Sequence, residues 1–109
     1  MITNQLIAGM VNSIIHEVHP EKIYLFGSAA RGQMNDDSDI DLIIVESQPF
    51  DSNRSRHDEL KKIRRAVSSY QVPKDILVYS QDEVKKWQHS INHIIGRCVR
   101  EGRLLYARS

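Results

Sequence analysis

The 109-residue chain has one cysteine, Cys98, which excludes an internal disulfide and fits a reducing compartment. Set among Ile94, Ile95 and Val99, that thiol reads as buried rather than reactive. Long apolar runs are missing as well. The longest, Leu42 to Val45, falls far short of the about 20 residues of a membrane-spanning helix. Met1 is not followed by a signal-peptide pattern, so the expected compartment is the cytoplasm. No G-x-x-x-x-G-K-S/T loop is present, which disfavours a P-loop ATPase. Repeats, linkers and low-complexity tracts are absent too.

What remains is ordinary for a soluble globular protein, with 40% hydrophobic and 27% charged residues. The length predicts one domain over residues 1–109, able to bury about 60% of its unfolded surface. Net charge is +1 but unevenly spread. Residues 1–50 hold two basic and seven acidic side chains; residues 51–109 hold thirteen basic and seven acidic. The asymmetry suits an acidic metal site facing a basic half, or simply solvated helix faces.

The informative stretch is Tyr24 to Val45, YLFGSAARGQMNDDSDIDLIIV. A Gly-Ser pair, Gly27 and Ser28, is followed after ten residues by Asp39-Ile40-Asp41. Apolar runs flank both ends, so the pattern predicts strand 22–26, a Gly-Ser turn, and a strand 39–46 that opens with two carboxylates. Ala29 to Arg31 reads as one helical turn ended by Gly32, and Gln33 to Ser38 as a polar turn above the site. Side chains alternate along a strand, so Asp39 and Asp41 share one face while Ile40 points to the core. Roughly 6.6 Å apart along the backbone, the two carboxylates can converge on one hard cation such as Mg²⁺. Gly27 permits close approach of backbone to a ligand, and Ser28 offers a hydroxyl and an N–H where phosphate is favoured. Metal at one end and phosphate cradle at the other describe a nucleoside triphosphate site.

Elsewhere, Leu6, Ile7, Met10, Val11, Ile14, Ile15 and Val18 predict an amphipathic helix over 4–18, capped by Thr3 or Asn4 and stopped by Pro20. A second helix is expected over about 54–70, burying Leu60, Ile63, Val67 and Tyr70, with Asp58 and Glu59 in its first turn. Lys74 to Tyr79 reads as a third strand, and Ser80 with Glu83 as a capping box that opens a short helix. The last helix carries Ile91, Ile94, Ile95, Cys98 and Val99 and closes at Gly102. Leu104 to Tyr106 forms an edge strand or packs across the core. Helices alternating with strands give an α/β layer fold.

Asp75 opens the third strand. If that strand lies beside the second, Asp75 joins Asp39 and Asp41, and three carboxylates can hold two Mg²⁺ in the arrangement used for in-line phosphoryl or nucleotidyl displacement. Asp75 is then also placed to accept the proton of an attacking hydroxyl.

The pattern Gly27-Ser28, ten residues, Asp39-x-Asp41, and a later aspartate on a strand resembles the nucleotidyltransferase superfamily typified by DNA polymerase beta and kanamycin nucleotidyltransferase. The runs GSAARG and SDIDL, and the closing REGRLLYAR, are similar to the minimal nucleotidyltransferases. The resemblance implies an α/β (α+β) nucleotidyltransferase fold with a mixed sheet of three to four strands flanked by helices. It implies Mg²⁺-dependent transfer of a nucleoside monophosphate from an NTP such as ATP, with release of pyrophosphate. By the same resemblance, Gly27 and Ser28 hold the triphosphate, Asp39 and Asp41 both metals, and Asp75 the catalytic metal. Arg31 matches the family's arginine after the Gly-Ser turn; it contacts phosphate or pairs with the Asp36–Asp37 loop. Larger relatives carry a further domain for the acceptor, so a partner or a second subunit is expected to supply the acceptor hydroxyl here. Minimal members are commonly paired with a HEPN-type toxin, and the implied role is an antitoxin that adds AMP to a toxin tyrosine.

Two other readings stay open: a non-catalytic module that neutralises its partner by binding, and an antibiotic nucleotidyltransferase. His89 and His93 lie four apart without a third metal-ligand residue and read as surface histidines. The basic helix around Arg64 lacks interleaved aromatics and reads as a solvated face rather than a nucleic-acid surface. Trp87 reads as a packing anchor or partner contact.

Overall fold

The structure is a computed structural model in which residues 4–27, 30 and 39–108 are described. Element order is α1 (Asn4–Val18), β1 (Lys22–Phe26), β2 (Ile40–Glu46), α2 (Arg56–Ala66), β3 (Lys74–Ser80), α3 (Gln81–Trp87), α4 (Ile94–Glu101) and β4 (Arg103–Ala107). The strands form one mixed sheet in the order β3-β2-β1-β4. β2 runs antiparallel to β1 and parallel to β3, and β4 completes the far edge antiparallel to β1. Of the two expectations for Leu104 to Tyr106, the edge strand is the one adopted.

Strand alternation divides the chain into two apolar layers. Ile23 and Leu25 of β1, Ile40, Leu42 and Ile44 of β2, and Ile76 and Val78 of β3 pack with Met10, Ile14, Ile63 and Val67, so α1 and α2 cover one face. On the other face Val45 packs with Val84 and Ile95 beside Tyr24, Tyr79 and Trp87, which brings in α3 and α4. Cys98 is buried, and desolvation pushes its thiol up to about 12, as befits a packing residue. Among the described residues no helix is long and apolar enough to cross a membrane.

Helix ends follow local chemistry. α1 ends through His19, whose φ of 49° supplies the left-handed turn usually given to glycine, and Pro20 follows. Asn4 is the first helical residue; Thr3, the alternative cap, lies outside the described residues. α2 is capped by the Ser55 hydroxyl, which accepts from the Asp58 N–H at 3.2 Å. α3 opens with the expected capping box, Ser80 and Glu83 bonding reciprocally.

Three helix boundaries differ from expectation. α2 starts at Arg56, because Arg54 bridges back to Asp51 and pairs with Glu46, and it ends at Ala66 in turns over Val67 to Tyr70. α4 starts at Ile94 rather than before Ile91. The His93 imidazole caps it, its Nδ1 accepting from the Ile95 N–H, and Ile91 stands 78% exposed in the preceding turn. Arg100 holds that turn by donating to the carbonyls of Ser90 and Ile91. Val99, expected in the buried stripe, is 40% exposed, because the stripe of so short a helix is carried by Ile95 and Cys98. His93 is thus a cap stacked on Trp87 at 4.5 Å rather than a surface histidine.

At the far end of β2, Glu46 is only 4% exposed. One carboxylate oxygen pairs with Arg54, which also reaches Glu59 at 3.3 Å; the other has no hydrogen-bond partner among the described residues. Burial, then the Glu59 carboxylate beside it, push the Glu46 carboxyl up to about 8, with Arg54 opposing. A carboxyl raised in the fold above its free value of 4.5 favours folding while protonated. Its contribution is full below 4.5 and is lost as pH rises through about 8. Thermal unfolding against pH is therefore expected to show a midpoint that falls from mildly acid to mildly alkaline solution. Glu46→Gln should flatten that slope; a slope unchanged in the variant would assign it to other groups.

Candidate active site

The site lies where β2 begins. The Ile40 N–H donates to the Pro73 carbonyl at 2.9 Å, which fixes the entry of β2 against the start of β3. From there the parallel register pairs Asp41 with Asp75, and the antiparallel register pairs Asp41 with Phe26. Phe26, Asp41 and Asp75 therefore form one row across three strands. Ile40 is fully buried on the opposite face, so the expected alternation holds. Asp39, expected to open the strand, instead stands just before β2, exposed, and Asp41 is half-buried. Below the row a cavity of about 170 Å³ is lined by Phe26, Asp41, Ile43, Asp75, Leu77 and Ile94. A larger hollow of about 410 Å³ between α1 and β4 has no acidic residue in its lining.

The Asp41 carboxyl is held above the usual carboxylate range, first by burial and then by the Asp75 and Asp39 charges. Among the described residues no hydrogen bond or ion pair engages any of the three carboxylates. Nor, among the described residues, are three His, Cys, Asp or Glu side chains gathered tightly enough to enclose a metal. The donors are all hard oxygens that repel one another, and they leave ligand positions open. That set fits Mg²⁺, which takes one or two carboxylates and completes its shell with water and substrate phosphates.

Gly27 has φ +76°, and a Cβ there would come within 2.4 Å of Asp41 Oδ2. Glycine is thus required by backbone shape and by space for the carboxylate. The Ala30 N–H donates to the Gly27 carbonyl at 3.2 Å, closing a turn directly after β1. Ser28 and Arg31, expected to contact phosphate, lie outside the described residues, as do Ala29, Gly32 and the 33–38 segment with Asp36 and Asp37.

Sequence reasoning passed over the side of the site that α4 supplies. Ile94 lines the cavity, and the Arg97 guanidinium stands 5.8 Å from the centroid of the Phe26 ring. Gly96 lets α4 pack closely on the turn that follows α3, since a Cβ there would meet the Ser90 carbonyl oxygen at 1.9 Å.

Residues 10–100 match the nucleotidyltransferase domain family. Comparison with curated proteins gives no match. Among solved structures, a protein of Sulfolobus solfataricus named as a nucleotidyltransferase superposes with a TM-score of 0.67 at 23% identity, covering 95% of this chain and 79% of that one. A toxin–antitoxin structure with AMP-PNP gives 0.58 at 20% identity, with 99% and 76% covered. A mutant of the toxin–antitoxin pair MntA-HpeT gives 0.56 at 18% identity, also with 99% and 76% covered. At these identities the structures establish the shared fold.

Crowded like charges should cost stability. Asp41→Asn is expected to raise the thermal midpoint at neutral pH, and Gly27→Ala to lower stability by about 1–3 kcal/mol through the left-handed backbone and the collision with Asp41. Calorimetry of both variants checks this; an unchanged midpoint in Asp41→Asn would mean that the row is not under repulsion.

Proposed function

The chain belongs to the nucleotidyltransferase domain family, and from that premise we propose that it transfers AMP from ATP to a hydroxyl of a partner protein, disarming a toxin. The observation that carries the reading is the registered Asp41–Asp75 pair beside the left-handed Gly27 turn.

In this reading Gly27 and Ser28 cradle the triphosphate, with Arg31 contacting phosphate. Asp39 and Asp41 would hold the two Mg²⁺ ions, with Asp75 joining them as a ligand of one. Bound there, Mg²⁺ neutralises phosphate charge and lowers the pKa of the attacking hydroxyl. The rest falls to the chain itself. The acceptor oxygen bonds to the α-phosphorus as the bond to the bridging oxygen of the β-phosphate breaks, and pyrophosphate leaves. The hydroxyl proton passes to Asp75, whose exposed carboxylate stands at the rim of the row. Phe26, Ile43, Leu77 and Ile94 give the cavity an apolar floor, which strengthens electrostatics above it.

The acceptor side of the reading is supported by the company the fold keeps: one neighbour is a toxin–antitoxin structure with AMP-PNP, and others are variants of MntA-HpeT. A HEPN-type toxin with an acceptor tyrosine is the partner proposed, and the cytoplasm the compartment. Masking by binding alone, and transfer to an antibiotic, are the outcomes that compete with it.

The test is transfer of label from ATP in the presence of Mg²⁺ and the product of the adjacent gene. The wild type should label a hydroxyl of that product, and Asp39→Asn/Asp41→Asn should lose about 10³-fold or more. If the double variant still neutralises the partner while the wild type transfers nothing, binding replaces catalysis as the function. Labelling of an aminoglycoside would replace the acceptor.

A further inference from the structure

A triphosphate brings several negative charges to a row that already holds Asp39, Asp41 and Asp75. Beside the phosphate contact proposed for Arg31, the several phosphate charges leave room for a second protein cation, and four arginines around the sheet are committed elsewhere. Arg54 pairs with Glu46 and Glu59. Arg56 makes a two-pronged pair with Glu83, at 3.0 and 2.5 Å, and also donates to the Val78 carbonyl. Arg100 holds the Ser90 and Ile91 carbonyls, and Arg108 pairs with Glu21. Lys74, at the start of β3, turns its ammonium to the Tyr70 and Val72 carbonyls.

Arg97 differs in place and in freedom. It projects from α4 over Phe26, the residue registered with Asp41 and followed directly by Gly27. Its side chain is 54% exposed, and its one ion pair among the described residues is a loose contact of Nε with Glu101 at 3.8 Å. Both terminal guanidinium nitrogens thus have no hydrogen-bond partner among the described residues. A planar fork with open donors, seated on an aromatic ring, is suited to take two phosphate oxygens at once. Stacked over the ring, the guanidinium keeps the edge that carries its terminal nitrogens open.

We propose that Arg97 is a phosphate-contacting residue of this site, holding the β- and γ-phosphates of the nucleotide from the α4 side and so favouring the leaving pyrophosphate. The inference rests on the nucleotidyltransferase reading and adds a cation from the last helix to it. The reaction is unchanged in its balance: Arg97 stays protonated and gives hydrogen bonds to the phosphate oxygens that depart.

The experiment is calorimetric titration of the whole chain, with Mg²⁺, by AMP-PNP and separately by AMP. Arg97→Gln should bind AMP-PNP about tenfold or more weakly, while its affinity for AMP stays within about twofold of wild type. Arg97→Lys should recover part of the loss, since it restores charge without the fork. Equal affinity of Arg97→Gln and wild type for AMP-PNP would overturn the inference while leaving the nucleotidyltransferase reading in place. An equal loss for AMP and AMP-PNP would also overturn it, making the Phe26 contact a matter of packing. Failure of the wild type to bind AMP-PNP at all would remove the nucleotide reading and the inference together.

Discussion

The pairing register of β2 is the constraint on which the site depends. A slip of one residue against either neighbour would turn Asp41 to the core and Ile40 to the open face. Two features hold the register. The alternating residues Ile40, Leu42 and Ile44 are buried against α1 and α2, and the Ile40 N–H is anchored on the Pro73 carbonyl. In return, carboxylates are held side by side. Near a protein surface such a repulsion is of order 1–4 kcal/mol at contact distance, less when water screens it. Each fully buried Ile, Leu or Val contributes about 1.5–3 kcal/mol, and five of them line this pair of strands. The apolar face wins, and the acids stay crowded.

Much of this was legible in the chain. Binary patterning gave α1 its bounds, the capping box placed α3, and the apolar flanks marked β1 and β2, which leave Gly27 just after one strand and place Asp41 in the other. The unforeseen parts are tertiary. Nothing local marks His93 as a cap, since histidine is not a preferred one; its place depends on stacking against Trp87. Arg54 looks like a helical residue until Glu46, eight positions away, draws it into a bridge. Beside the room that Gly27 leaves for a ligand, the fold adds a second demand for glycine there, the closeness of Asp41.

The uneven charge of the two halves also acquires a physical meaning. Asp39 and Asp41 of the first half meet Asp75 at the start of β2, whereas several basic residues of the second half are used one by one. Arg56 ties the start of α2 to α3, Arg54 accompanies the buried end of β2, and Arg100 clamps the turn before α4. The two ends of β2 thus carry opposite solutions for buried acid. Glu46 has an arginine beside it; Asp41 has no ion-pair partner among the described residues, and an external cation is what its surroundings suit.

The central claim is that a cation and a triphosphate meet on the Asp41–Asp75 row. Diffraction from crystals grown with Mn²⁺ and AMP-PNP, recorded at the manganese absorption edge, tests it most directly. The account predicts an anomalous peak between the Asp41 and Asp75 carboxylates, with the triphosphate running from it to the Gly27 turn. A triphosphate bound elsewhere, with no peak on the row, would contradict it.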